Sequence, residues 1–151
     1  MEVFRIRGGR KLEGAVTASG SKNAALPLFA ASLLSSEESI LENVPDLSDI
    51  RFMAEILLEM GAEVEKTGPT TWKINPSQIV PCAPYELVRK MRASVCLLGP
   101  LVGRLGKAEI PMPGGCVIGN RPIDLHIRAM QRMGAEVELK AGVVQVNAEN
   151  L

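Results

Sequence analysis

The sequence predicts an α/β fold made from two rounds of one structural unit. Two observations carry that prediction. The run Glu59-Met60-Gly61-Ala62-Glu63-Val64-Glu65 returns 73 residues later as Arg132-Met133-Gly134-Ala135-Glu136-Val137-Glu138, with six of seven positions matching in order. An amphipathic helix pattern stands upstream of each copy, and a pair of strand-like runs follows it. Repeated helix–strand alternation is how α/β layers are built, and a fixed internal period marks a repeated unit.

The elements follow in order. Residues 2–18 hold two short strand candidates separated by Gly8-Gly9, which need a sheet partner, and Gly14–Ser19 reads as a strand leading into the first helix. Ser21–Leu34 is a mostly apolar helix with Ser21 as its cap candidate. Pro27 lies within it and either opens its regular part or kinks it. A strand at Ser39–Leu41 comes next. Ile50, Met53, Ile56, Leu57 and Met60 then recur at helical spacing up to a glycine stop at Gly61. Strands at Ala62–Glu65 and Trp72–Ile74 flank the turn Thr67-Gly68-Pro69.

The second round repeats this plan. Ser94–Leu105 reads as an apolar helix and Ala108–Ile110 as a strand. A helix over 122–133 carries Leu125, Ala129, Met130 and Met133 on one face and stops at Gly134. Strands at Ala135–Leu139 and Val143–Val146 close around Ala141-Gly142. Each unit therefore runs helix, strand, helix, strand, strand. Two units without a closing helix point to a fragment, with a small standalone domain as the alternative.

Composition narrows the class. The 151 residues are 46% hydrophobic and 23% charged, ordinary for a globular protein, and with only 3% aromatics the core must come from Leu, Ile, Val, Ala and Met. Formal charge is zero and no basic stripe stands out, so nucleic acid is not an expected partner. No apolar run approaches the about 20 residues of a membrane span, and the amino terminus lacks the apolar core of a signal peptide. Cys82, Cys96 and Cys116 leave at least one thiol unpaired and form no CxxC pair, so neither a zinc site nor any other metal or cofactor is expected. A reducing cytoplasm is the expected setting.

Four segments carry chemistry. In Pro111–Leu125 a Gly-Gly-Cys triplet sits between prolines with a further glycine at 119. Glycine lets a backbone approach a ligand or swing as a lid. Arg121 and Lys107 lie nearby in sequence and favour a thiolate at Cys116; the alternative is a small apolar residue in a turn. In Gly20-Ser21-Lys22-Asn23, Lys22 and Asn23 fall in the first turn of a helix, where unpaired N–H groups and the dipole make a phosphate site. A solvated surface lysine is the other reading. Arg92 precedes the apolar run Ala93–Val102 and needs an oxyanion, a structural salt bridge or solvent. Asp124 either belongs to a ligand site with Arg121, Pro122, Ile123 and Leu125 or serves as a helix cap. His126, the only histidine, has no paired base and reads as structural.

Read in order, GSKNAALPL, MRAS and PGGCVIGNRPIDLH resemble the enolpyruvyl transferases acting on UDP-N-acetylglucosamine, the first committed enzymes of bacterial peptidoglycan synthesis. The resemblance covers the whole chain. It implies an inverted α/β barrel of repeated βαβαββ units, EPSP synthase-like, of which about two are present here. Residues 1–20 would belong to the other domain of the full-length enzyme. Residues 21–151 would be a partial catalytic domain with units at about 21–80 and 88–151. The implied reaction moves the enolpyruvyl group of phosphoenolpyruvate to the 3′-hydroxyl of the sugar and releases phosphate without a metal. Lys22 and Arg121 would hold phosphoenolpyruvate, with Asn23 beside Lys22. Arg92 and Arg121, Pro122, Ile123, Asp124 and Leu125 would contact the UDP-sugar. Cys116 would be the general acid, and the residue fosfomycin alkylates. The base and another phosphate-binding arginine match nothing in 1–151, so the chain is expected to be inactive alone, its missing partner being the remainder of the same polypeptide.

Overall fold

The computed structural model describes residues 3–112 and 123–149. The first helix, α1 (Lys22–Ala31), buries Ala25, Leu26, Phe29 and Ala30 and includes Pro27 in its interior before a 3₁₀ turn at Ser32–Leu34. Ser21 takes the cap position in extended conformation, but its side chain makes no cap bond. Strand β1 (Ser39–Leu41) and α2 (Ser48–Glu59) follow, then β2 (Glu63–Lys66) and β3 (Trp72–Asn75). Helix α2 is amphipathic as its spacing predicts. It buries Ile50, Met53, Ala54, Ile56 and Leu57 and ends at Gly61, whose φ of 99° is open to glycine at little cost.

The second round is α4 (Leu98–Leu105), β4 (Lys107–Pro111), α5 (Asp124–Arg132), β5 (Glu136–Lys140) and β6 (Val143–Asn147). A single turn, α3 (Tyr85–Val88), precedes it and carries no periodic signal long enough to read from sequence. The repeat is exact at the level of topology. Each round makes a three-stranded antiparallel sheet, ordered β1-β3-β2 in the first and β4-β6-β5 in the second. Gly134 mirrors Gly61 with a φ of 102°.

Two expectations need correction. Gly14–Ser19 forms no strand; residues 3–19 are exposed and irregular, because no neighbouring strand offers them a ladder. The second round does keep a remnant of such a leading strand. Ala83 N–H donates to Glu109 O at 3.0 Å and Glu109 N–H to Pro81 O at 2.8 Å, so the chain at Cys82 runs parallel to β4 for one bridge. The helix expected over Ser94–Leu105 is divided. Arg92–Leu97 is 3₁₀, and the α-helix begins only at Leu98. Pro100 favours the break: it has no N–H for an α-bond to Cys96, and with the α-helix beginning at Leu98 it falls in a first turn, where that missing donor costs nothing. The buried Ser94 hydroxyl tightens the 3₁₀ segment by donating to Met91 O at 2.8 Å.

Both rounds feed one core. Phe29, Leu33, Met53, Leu57 and Ile74 of the first join Leu97, Leu101 and Ile110 of the second, all fully buried. Phe29 meets Trp72 edge to face at 5.6 Å between centroids. The rounds are not equally covered, however. Met60 is 0% exposed while Met133, its counterpart in the repeat, is 54% exposed. Helix α2 is held between α1 and α3, whereas α5 packs chiefly on β5.

Candidate functional site

The approach to α1 is set by Gly20. A Cβ there would fall 1.6 Å from Asn43 O, so only glycine lets the chain pass this close before turning into the helix. Asn43 itself has a φ of 54°, a region asparagine tolerates better than most residues. Between this crossing and the strand β1 lies a cleft of about 270 Å³ lined by Gly20, Ser21, Leu28, Ile40 and Asn43.

Lys22 is the first residue of α1 and Asn23 the second, both exposed. The Ser21 carbonyl accepts from Ala24 and Ala25 N–H at 3.2 and 2.9 Å, which closes the first turn. Lys22 Nζ reaches 2.7 Å from Asp49 Oδ2, with the side chains 44% and 34% exposed. Asp49 sits in the first turn of α2, so two helix N-termini meet through this pair. Sequence reasoning did not single out Asp49. An acidic residue in a first turn is what the helix dipole favours anyway, so nothing local marks it.

Arg92 opens the 3₁₀ segment that packs on both α1 and β4. It is half-buried and engaged rather than a free surface charge. The fold thus makes neighbours of the elements carrying Lys22 and Arg92, which are 70 positions apart in the chain. Strand β4 then runs to Pro111, and Met112 N–H donates to Gly142 O at 2.7 Å. Cys116, Arg121 and Pro122 lie outside the described residues. Past them, Ile123 is buried and takes the cap position of α5, Asp124 is half-buried, and Leu125 is 71% exposed. Asp124 is not the cap, a place Ile123 takes; it occupies the first turn of α5 and pairs with Arg128 at 3.8 Å. His126 is exposed on the same helix.

The two thiols among the described residues, Cys82 and Cys96, differ in their surroundings. Burial pushes the Cys96 thiol up, above the ordinary 9.0, which disfavours the thiolate. Cys82 is exposed beside a cavity of about 490 Å³ lined also by Tyr85, Glu109, Pro111, Lys140 and Val143. Among the described residues no three His, Cys, Asp or Glu side chains gather as a metal site would need. No helix among them is long and apolar enough to cross a membrane.

Known proteins match along the whole chain. UDP-N-acetylglucosamine 1-carboxyvinyltransferase of Methylacidiphilum infernorum is 55% identical over 95% of the chain, and that of Wolinella succinogenes 51% over 98%. The chain spans about a third of the length of these curated relatives, 34% and 35%. Among solved structures, the enolpyruvyl transferase NikO from Streptomyces tendae superposes with a TM-score of 0.76 at 30% identity, covering 95% of this chain and 32% of that one. EPSP synthase from Acinetobacter baumannii gives a TM-score of 0.64 at 14% identity over 91% of this chain and 32% of its own, a likeness of fold alone. Residues 6–150 match the family described as EPSP synthase (3-phosphoshikimate 1-carboxyvinyltransferase), and the chain belongs to that family.

Proposed function

We propose that the complete protein carrying this chain transfers the enolpyruvyl group of phosphoenolpyruvate to the 3′-hydroxyl of UDP-N-acetylglucosamine. The observation that carries this reading is the identity of 47–55% to curated relatives named for that activity. The reaction supplies peptidoglycan precursors. We assign it to the cytoplasm, where a reducing setting keeps a reactive thiol free.

In this reading the sugar hydroxyl gives its proton to a base supplied by the remainder of the polypeptide as its oxygen adds to C2 of phosphoenolpyruvate, while Cys116 delivers a proton to the methylene carbon. Loss of a proton from the resulting methyl group then expels phosphate and restores the double bond. Phosphoenolpyruvate is a compact polyanion, so its charge must be offset before a nucleophile approaches. Lys22 at the positive end of α1 and Arg121 do this, with Asn23 beside them. Arg92 and the segment from Arg121 to Leu125 receive the UDP-sugar. A thiol with a pKa near the working pH suits the proton donor.

Phosphate release separates the readings. The full-length protein is expected to release phosphate from phosphoenolpyruvate with UDP-N-acetylglucosamine and not with shikimate 3-phosphate. Fosfomycin is expected to add to wild type and not to Cys116→Ala, as read by intact mass. Turnover with shikimate 3-phosphate alone would reassign the substrate. UDP-sugar binding with no phosphate release, unchanged by Cys116→Ala, would make the protein a binding module instead. The isolated 151-residue chain is expected to release none, because the base and a further arginine of the resemblance match nothing within it.

A further inference from the structure

We infer that Asp49 is a positioning residue for Lys22, fixing the ammonium where a phosphate-bearing substrate meets it; the inference rests on the enolpyruvyl-transfer reading. Lys22 is an unfavourable choice for its position. A cation in the first turn of a helix faces the positive end of the dipole, and the first turn of α1 holds no acidic residue to offset it. The carboxylate that does so comes from a different helix. At 2.7 Å the contact is a short charge-assisted hydrogen bond.

Asp49 stands on a rigid base. Ile50 and Met53, one and four residues after Asp49 on α2, are fully buried and anchor this end of the helix in the core. An ammonium has three donors, and the bond to Asp49 uses one. With 44% of its side chain exposed, Lys22 keeps the remainder facing solvent. A lysine held in this way has already lost part of the rotamer freedom that binding would otherwise remove. The same carboxylate also repels an incoming anion. The two effects have opposite signs, so one measurement decides between them.

In the full-length protein, Asp49→Asn is expected to raise KM for phosphoenolpyruvate about tenfold while KM for UDP-N-acetylglucosamine changes less than about twofold. Asp49→Glu should recover most of the loss. Asp46→Asn removes a neighbouring carboxylate that pairs with Arg51 and Lys66 instead, and it should leave both constants as in wild type. An unchanged or lower KM for phosphoenolpyruvate in Asp49→Asn overturns the assignment, as does a parallel rise in both constants or an equal effect of Asp46→Asn. If Asp49→Asn does not fold, Asp49→Ser carries the same comparison. Should wild-type protein turn over neither substrate, the enzymatic reading falls on its own. The pair is then judged in the 151-residue chain from acylation of Lys22 by an N-hydroxysuccinimide ester, followed by peptide mass spectrometry. Labelling about threefold faster in Asp49→Asn than in Asp46→Asn supports positioning, since a paired ammonium must leave its partner before it reacts. Equal rates overturn it.

Discussion

Gly20 and Lys22 are two residues apart and depend on one another. The glycine lets the chain cross the Asn43 carbonyl, and the crossing aims the first turn of α1 at Asp49. A methyl group at 1.6 Å from that oxygen cannot be absorbed by a side-chain rotation, because the obstacle is backbone. Gly20→Ala is therefore expected to destabilise the fold by about 1–3 kcal/mol, the range for overpacking a filled site. Thermal melting should show it as a fall of about 2–4 °C per kcal/mol in a chain of this size. A midpoint equal to wild type would mean the crossing is loose. Sequence showed Gly20 only as part of a motif. Its steric role needed Asn43, 23 positions later, and no local pattern connects the two. Lys22, by contrast, was legible as a lysine at a helix start, because helix starts are written locally in the chain.

At the scale of elements, the two rounds share order and topology but not burial. Met60 and Met133 test that difference directly, since they occupy the same place in the repeat. Met60→Ala opens a cavity in a fully buried position and is expected to lower stability by about 2–5 kcal/mol. Met133→Ala removes a side chain that is 54% exposed and should stay within about 0.5 kcal/mol. Urea unfolding of both variants measures the contrast, and equal losses would show that α5 is covered after all. The sequence made the repeat itself plain, because glycine stops and period-3.6 faces are local signals: α2, β1 and β3 fall within a residue or two of expectation. It could not show which copy of a matched methionine is buried, since that depends on neighbouring elements. The division of Ser94–Leu105 was concealed by its apolar run, with Pro100 the one clue. The leading strands were over-read for a related reason: a run of strand formers becomes a strand only where a partner ladder exists.

At the scale of the molecule, the open face of the second round has consequences for the isolated chain. Met133 on α5 and Leu139 on β5 are 54% and 62% exposed, and β5 is an edge of its sheet. An edge strand offers unpaired backbone groups beside this apolar surface, which favours pairing with another copy. Formal net charge is zero, so no long-range repulsion keeps copies apart. Charges along β5 at Glu136, Glu138 and Lys140 oppose that pairing only in part, because both signs are present and can match across an antiparallel contact. The 151-residue chain alone is expected to self-associate as its concentration rises. Sedimentation velocity should show the average mass increasing for wild type. The double variant Met133→Glu with Leu139→Lys should remain monomeric without a change in thermal midpoint, since exposed positions contribute little to the fold. In the full-length protein the same two substitutions are expected to lower stability, because there the remainder of the polypeptide would cover this face and two charges would be buried in it. A wild-type chain that stays monomeric at all concentrations, with full-length protein indifferent to the double variant, would show that this face needs no cover.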